Sequence, residues 1–379
     1  MTDRPVHRTL LLAALSALAL ALAATPASAL PRGFVGLSSE DTFHGSPDYR
    51  ENALTLQKRA GVRLIRQNFD WAAFEKSRGD YTFAEYDSFM AAAARARMGI
   101  LPVLYNAPSF HSSAPGSGAE RGLYPPSNPE TMADFAAALV RRYGPDGSFW
   151  KSRPDLPKVP IRSWQVWNEP SLAVYWRPRP DPAAYVRLLR TVGARIKSVD
   201  PRAEVVTAGL PPSKLSDAIR LGKFIRSMYR AGGKGSFDTL AINAYATDTR
   251  ELARLMRSIR RILRRSRDRK RRIWITELGW ADSGPEHRFN LGPRGQARMI
   301  KKAVRWVIRK RKRQRLRGFV YFQWHDQRPY PPEYKDMWGL HTGLVNLDGV
   351  AKPAYRAFKA AAKPGKPKKK KKSKRKRRR

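Results

Sequence analysis

An α/β fold closing into a single (β/α)8 barrel is predicted by three observations on the 379-residue sequence. Eight short β-rich runs recur along it. Most are nearly continuously apolar, as strands buried on both faces are. Amphipathic helical patterns separate them, which points to a parallel sheet with crossover helices. An open doubly wound sheet would call for a glycine-rich phosphate loop after the first strand, and Gly33-Phe-Val-Gly-Leu-Ser38 does not supply one.

The runs lie at residues 33–37, 62–66, 100–105, 161–167, 204–208, 239–243, 273–276 and 319–324. Between them, Tyr185, Leu188, Leu189, Val192 and Ile196 form one helical stripe. Leu252, Leu255, Met256, Ile259 and Leu263 form another, and Ile300, Val304, Val307 and Ile308 a third. Asn128-Pro129 and Asp181-Pro182 each place a capping side chain before a proline in the first helical turn. The longest irregular stretches are 106–128 and 143–160. The first follows a strand end and is expected to shape a groove; the second follows a helix and is expected to be structural.

Outside the barrel the composition changes. Arg4 and Arg8 flank an apolar run of 15 residues, 10–24, and Ala27-Ser28-Ala29 follows as a small-x-small pattern. This reads as a signal peptide, residues 1–29, cleaved after Ala29. The run falls short of the roughly 18 apolar residues of a spanning helix, and an uncleaved anchor is the alternative. The expected catalytic domain is 30–362. Residues 363–379 are almost pure Lys and Arg and are expected to form a disordered tail. The chain is therefore read as secreted or envelope-associated.

Composition narrows the chemistry. With no cysteine there is no disulfide, thiolate metal site or thiol nucleophile, and the six histidines show no metal-ligand spacing. No cofactor and no metal are expected. The formal charge of +44 concentrates in 261–272, 309–317 and the tail. All three follow helices, which in a barrel puts them at the N-terminal end, away from the strand-end mouth. They are read as a surface that holds an anionic polymer or lipid surface of the cell envelope, weakening with salt. A drift of composition toward Lys and Arg that only aids solubility is the alternative. No motif points to specific nucleic-acid recognition.

Two of the strand runs end in carboxylates flanked by tryptophan: Trp164-Gln-Val-Trp167-Asn168-Glu169-Pro170 and Ile273-Trp-Ile-Thr-Glu277-Leu-Gly-Trp280. Strand ends of a barrel share one mouth, so Glu169 after the fourth strand and Glu277 after the seventh face each other. A carboxylate pair of this kind is what glycosidic-bond chemistry uses, one as proton donor and one as nucleophile or base, with pKa values pushed apart.

The motifs Trp167-Asn168-Glu169-Pro170 and Thr276-Glu277-Leu278-Gly279-Trp280 resemble the acid/base and nucleophile strands of clan A glycoside hydrolases, close to the family 39-like and family 5-like barrels. Trp71-Ala-Ala-Phe74-Glu75 and Gly343-Leu-Val-Asn-Leu-Asp-Gly349 extend the resemblance across the barrel. It implies a retaining, double-displacement glycosidase acting on a β-linked poly- or oligosaccharide. Glu277 would be nucleophile and Glu169 acid/base, with their carboxyls roughly 5–5.5 Å apart. Asn168 would bind the sugar 2-hydroxyl. Arg66, ending the second strand, would hold the nucleophile charged, with Tyr245 bonding it. Asn243 stands beside Tyr245 where many relatives have His, and it is counted with the nucleophile's supports. Trp324 is matched to the aromatic platform under the sugar, and Asn106 to a sugar contact. Trp167 and Trp280 either pack or bind. A monomer is expected. A transglycosylase using the same pair and a non-catalytic glycan-binding barrel are the rival readings.

Overall fold

The computed structural model describes residues 30–116, 122–329 and 334–362. The expected leader and basic tail lie outside these residues, as does part of the 106–128 stretch. Residues Arg32–Lys363 form one compact unit. The eight strands of its barrel are β1 (Val35–Ser38), β2 (Leu64–Asp70), β3 (Gly99–Tyr105), β4 (Ser163–Val166), β5 (Glu204–Val206), β6 (Thr239–Asn243), β7 (Arg272–Glu277) and β8 (Leu316–Tyr321); a two-stranded hairpin, Glu75–Ser77 with Asp80–Tyr81, stands outside it. They close in the order β1-β8-β7-β6-β5-β4-β3-β2, and β1 pairs in parallel with both β8 and β2.

A helix follows each strand: α1 (Pro47–Arg59), α2 (Ala84–Arg95), α3 (Pro129–Tyr143), α4 (Pro182–Val199), α5 (Leu221–Arg230), α6 (Thr249–Arg265), α7 (Gly292–Lys310) and α8 (Pro353–Ala362). The caps work as the sequence suggests. Asn128 Oδ1 accepts from Glu130 N at 3.0 Å, and Asp181 Oδ1 from Ala183 N and Ala184 N at 2.8 and 3.0 Å. The α4 stripe is buried throughout. On α6 and α7 the buried stripe takes in Ile262 and Trp306, while Leu255 and Ile308 stay half-buried. The 143–160 stretch is structural: Trp150 Nε1 and Ile161 N both donate to Tyr143 O at 3.0 Å.

Two strands differ from expectation in ways that matter for the site. β2 continues four residues past Arg66, because Gln67, Asn68 and Asp70 keep their pairing with β3 up to Asp70 opposite Tyr105. Arg66 is thus mid-strand and does not end it. β8 starts and stops three residues earlier than its apolar run suggests. Its first half is masked in sequence by Arg317 and Gly318. The glycine is there because a Cβ would meet Trp274 Nε1 of β7 at 2.5 Å. Trp274 in turn joins Leu64, Leu101, Val206, Ala241 and Val320 in one apolar cluster drawn from six strands, its leucines and valines each worth about 1.5–3 kcal/mol of burial.

The floor of the barrel closes on Glu204. Its carboxylate accepts from Ser163 and Thr239 hydroxyls at 2.8 and 2.5 Å and from Arg272 and Arg317 at 2.9 Å each. Five strands meet on one side chain. Burial pulls its pKa up, but Arg317, Thr239, Arg272 and Ser163 outweigh burial and hold it below the ordinary value of 4.5. A depressed carboxylate contributes stability that is present above its unfolded pKa and lost as pH falls through the folded one. Glu204→Gln is therefore expected to cost about 1–2 kcal/mol at pH 7, moderated by solvent at Arg272. The difference from wild type should hold down to about pH 4.5 and vanish below it, as read by denaturant unfolding at several pH values. A difference that grew as the pH fell would contradict this account.

Candidate functional site

The mouth is built where β4, β6 and β7 end. The chain leaves β4 with Trp167 and Glu169 both in the left-handed region, at φ of 70° and 40°. These turns aim Trp167 into the wall and Glu169 into the mouth. Trp167 is fully buried and donates from Nε1 to Tyr175 O at 2.7 Å. Trp280 is 1% exposed and donates to Ala246 O at 2.9 Å. Both tryptophans pack.

Glu277, at the last position of β7, has a donor on each carboxylate oxygen. Arg66 Nη1 donates to Oε1 at 2.8 Å and Tyr245 OH to Oε2 at 2.7 Å. Arg66 is buried and spends its other nitrogens on Gln165 Oε1 at 3.1 Å and Asn168 Oδ1 at 3.0 Å. One guanidinium thus ties the acid of β7 to both ends of the β4 motif. Burial, with the nearby charges of Glu277 and Glu169, drives the Tyr245 hydroxyl well above its usual value, so it stays a donor. Asn168 Nδ2 has no partner among the described residues, which leaves its two hydrogens for a ligand.

Glu169 sits 8% exposed beside this group. Burial first, then the charge of Glu277, push its pKa up to about 8, against the pull of Asn243 and Arg66. It therefore holds its proton to higher pH than an ordinary carboxyl does.

Asn243 requires a correction. Its Nδ2 donates to Glu169 Oε1 at 2.6 Å, not to Glu277, and its Oδ1 accepts from Thr276 Oγ1 at 2.9 Å. The cause is a slip of register: Ile242 lies opposite Ile275, yet Asn243 lies opposite Glu277, so Thr276 is the extra residue. Its hydroxyl meets the amide and turns it toward β4. Gly209 backs the amide, since a Cβ there would run into it. Removing the donor removes a bond that favours ionised Glu169. Asn243→Ala is thus expected to raise the Glu169 pKa further, extending the alkaline limb of any Glu169-dependent activity to higher pH. A limb shifted to lower pH would refute the assignment.

Trp324 also stands elsewhere than expected. It is 2% exposed, its ring set edge-on to Tyr355 of α8 at 5.9 Å. β8 has already ended at Tyr321, so strand alternation no longer aims this side chain. Two half-buried aromatic rings flank Tyr245 at the mouth instead, Phe322 at 6.4 Å and Trp338 at 5.3 Å from its ring. Asn106, at φ of 67°, is in the same rim but gives its Nδ2 to Asp70 Oδ1 at 2.8 Å.

Four further side chains join the group without a strong signal in sequence. Asp70, the last residue of β2, has its carboxyl pushed up by burial. Glu40, just after β1, accepts from Gln67 Nε2 at 2.6 Å and Asn68 N at 3.2 Å, and burial lifts it to about 7. The hydroxyls of Tyr105 and Tyr175 are raised by burial and by the charges of Asp70 and Glu169, and of Glu169 and Glu277. Below the rim, Lys352 Nζ bridges Asp282 at 2.7 Å and Asp326 at 2.8 Å, binding the loops after β7 and β8 together.

No family model and no curated protein matches the sequence. Solved structures match the fold. A family 39 glycoside hydrolase from Bacteroides cellulosilyticus WH2 is 19% identical, with a TM-score of 0.59 over 87% of this chain and 63% of that one. A monomeric β-xylosidase from Caulobacter crescentus CB15 is 18% identical, with a TM-score of 0.63 over 88% and 68%. Xylanase 10B from Thermotoga petrophila RKU-1, solved with xylobiose, is 17% identical, with a TM-score of 0.56 over 87% and 94%. The chain thus spans under two thirds of the first of these, and the likeness in each case is one of fold.

Proposed function

We propose that this barrel is a glycoside hydrolase working by double displacement, with Glu277 as nucleophile and Glu169 as acid/base. The carrying observation is the asymmetry of the pair: Glu277 faces a buried guanidinium and a tyrosine donor, while Glu169 faces a neutral amide and keeps its proton to about pH 8. Glu277 attacks the anomeric carbon as Glu169 protonates the departing oxygen. Esterification then removes the charge of Glu277, which had been raising the Glu169 pKa. The Glu169 pKa then drops, though burial still holds it above an ordinary carboxylate, and Glu169 takes the proton of the incoming water. Asn168 offers its free amide hydrogens to the 2-hydroxyl of the sugar, and Phe322 supplies an apolar face at the mouth.

The proposed substrate is a β-linked poly- or oligosaccharide. The fold neighbours named as a β-xylosidase and a xylanase support this class. The leader-like N-terminus and the basic strand-start end support a secreted enzyme held at an anionic envelope surface. The test is reducing-end release from a panel of xylans, mannans, β-glucans and envelope polysaccharides, wild type beside Glu277→Gln. Release by wild type alone is expected. Retention of a glycan by both proteins with no release by either would instead support a binding barrel.

A further inference from the structure

The basic runs do not all do the same thing. Arg272 and Arg317 close on Glu204, and Arg260 donates to the carbonyls of Arg271 and Gln314, so these cations are part of the floor. A second group is left over. A cleft of about 400 Å³ opens between the C-terminal ends of α5 and α6, lined by Arg226, Arg230, Lys234, Arg265 and Arg267. All five are exposed. Among the described residues none pairs with a carboxylate; Arg230 makes only a hydrogen bond to Ser227 Oγ at 2.7 Å. The acid beside them, Asp268, is engaged by Tyr229 OH at 2.8 Å and Arg271 Nε at 2.7 Å.

Helix C-termini attract cations. That accounts for one basic side chain at the end of each helix, not for five around one cleft with no counter-charge. Like charges so placed repel, and an anion with several oxygens relieves all of them together. Four of the five are arginines, whose planar forks match phosphate oxygens two at a time. The large apolar side chains exposed on the described surface are Val174, Leu215, Tyr334, Met337, Leu347 and Val350. All lie in loops that follow strands, at the opposite end of the barrel, so among the described residues this end exposes no large apolar side chain for a lipid interior. Tyr229 is the single aromatic side chain in the lining, and half-buried, where binding of a base-bearing strand stacks successive bases on several exposed rings.

We propose that the α5–α6 cleft binds phosphate groups of a linear, phosphate-bearing envelope polymer, holding the enzyme by its strand-start end with the Glu169–Glu277 mouth facing away. This deepens the anchoring reading and rests on it. The test uses the full chain and long-chain inorganic polyphosphate as probe. Arg230→Glu/Arg265→Glu is set beside a charge-matched control, Arg309→Glu/Arg313→Glu, at the exposed end of α7 and the turn after it. Wild type should bind, with affinity falling steeply as salt rises. The cleft variant should lose roughly 10-fold or more in affinity and the control no more than about 3-fold, with glycan cleavage unchanged in both. Equal losses would overturn the cleft while leaving a diffuse basic anchor. No binding by wild type would overturn both. Tighter binding to vesicles of anionic phospholipid, or to polygalacturonate, than to polyphosphate would also overturn the assignment.

Discussion

Glu277→Gln is expected to abolish turnover, by roughly 10⁴-fold or more, in a protein that still folds. The replacement is nearly isosteric. Its amide oxygen can keep accepting from Arg66, and its amide nitrogen can donate to the Tyr245 oxygen, so both contacts of Glu277 survive in altered form. What goes is the negative charge. That charge is the second cause, after burial, of the raised pKa of Glu169. The variant therefore carries a second, independent signature: Glu169 should lose its proton at lower pH than about 8, while staying above an ordinary carboxylate because burial remains. Infrared difference titration of the carboxyl groups reads this directly. In the proposed mechanism the first chemical step needs protonated Glu169, so wild-type activity should decline as pH rises through about 8. A Glu169 titration that stayed put in the variant would show that the two carboxyls do not communicate, and the proposed exchange of acid and base roles would lose its driving force.

Much of this site is legible in the sequence. Glu169 and Glu277 each close an apolar run flanked by tryptophan, and barrel topology then assigns them to one mouth. Side-chain partners were harder. Whether Asn243 serves Glu277 or Glu169 turns on a one-residue slip between β6 and β7, and no periodicity in the sequence marks it. The choice between Trp324 and Phe322 turns on where β8 stops. The apolar run continues past Tyr321 into residues that pack against α8, and hydrophobicity alone does not separate a strand from the packed segment after it. Asp70 and Glu40 were invisible for a simpler reason. A single acid at a strand end is common, and only the folded mouth shows these two beside Asn106 and Arg66.

The basic ends separate in the same way. Sequence shows runs of Arg and Lys, with no hint of which side chains have partners. Folding sorts them: Arg272 and Arg317 reach Glu204 across the floor, while Arg230 and Arg265 are left facing a cleft. Net charge is therefore a poor guide to how much basic surface is free for binding.

Arg66→Met is the second large effect, because one buried guanidinium serves three acceptors. Its loss leaves Glu277 Oε1, Asn168 Oδ1 and Gln165 Oε1 without their donor. Removing one partner of a buried ion pair costs about 3–5 kcal/mol, and the midpoint of unfolding should drop accordingly. Activity should fall by roughly 10²–10³-fold, since a positioned charge next to the reacting group is lost. The pH profile distinguishes this from a general loosening of the barrel. Arg66 pulls the Glu169 pKa down, so its removal should lift the alkaline limb above about 8, the opposite direction to the Glu277→Gln titration shift. Arg66→Lys separates charge from geometry. A lysine restores the positive charge and can keep the limb near its wild-type position, but its single ammonium cannot span all three acceptors. The Lys variant should therefore recover the pH profile more fully than the rate. Recovery of the rate without the profile would mean that Arg66 acts by packing, and Glu277 would then need another source for its counter-charge.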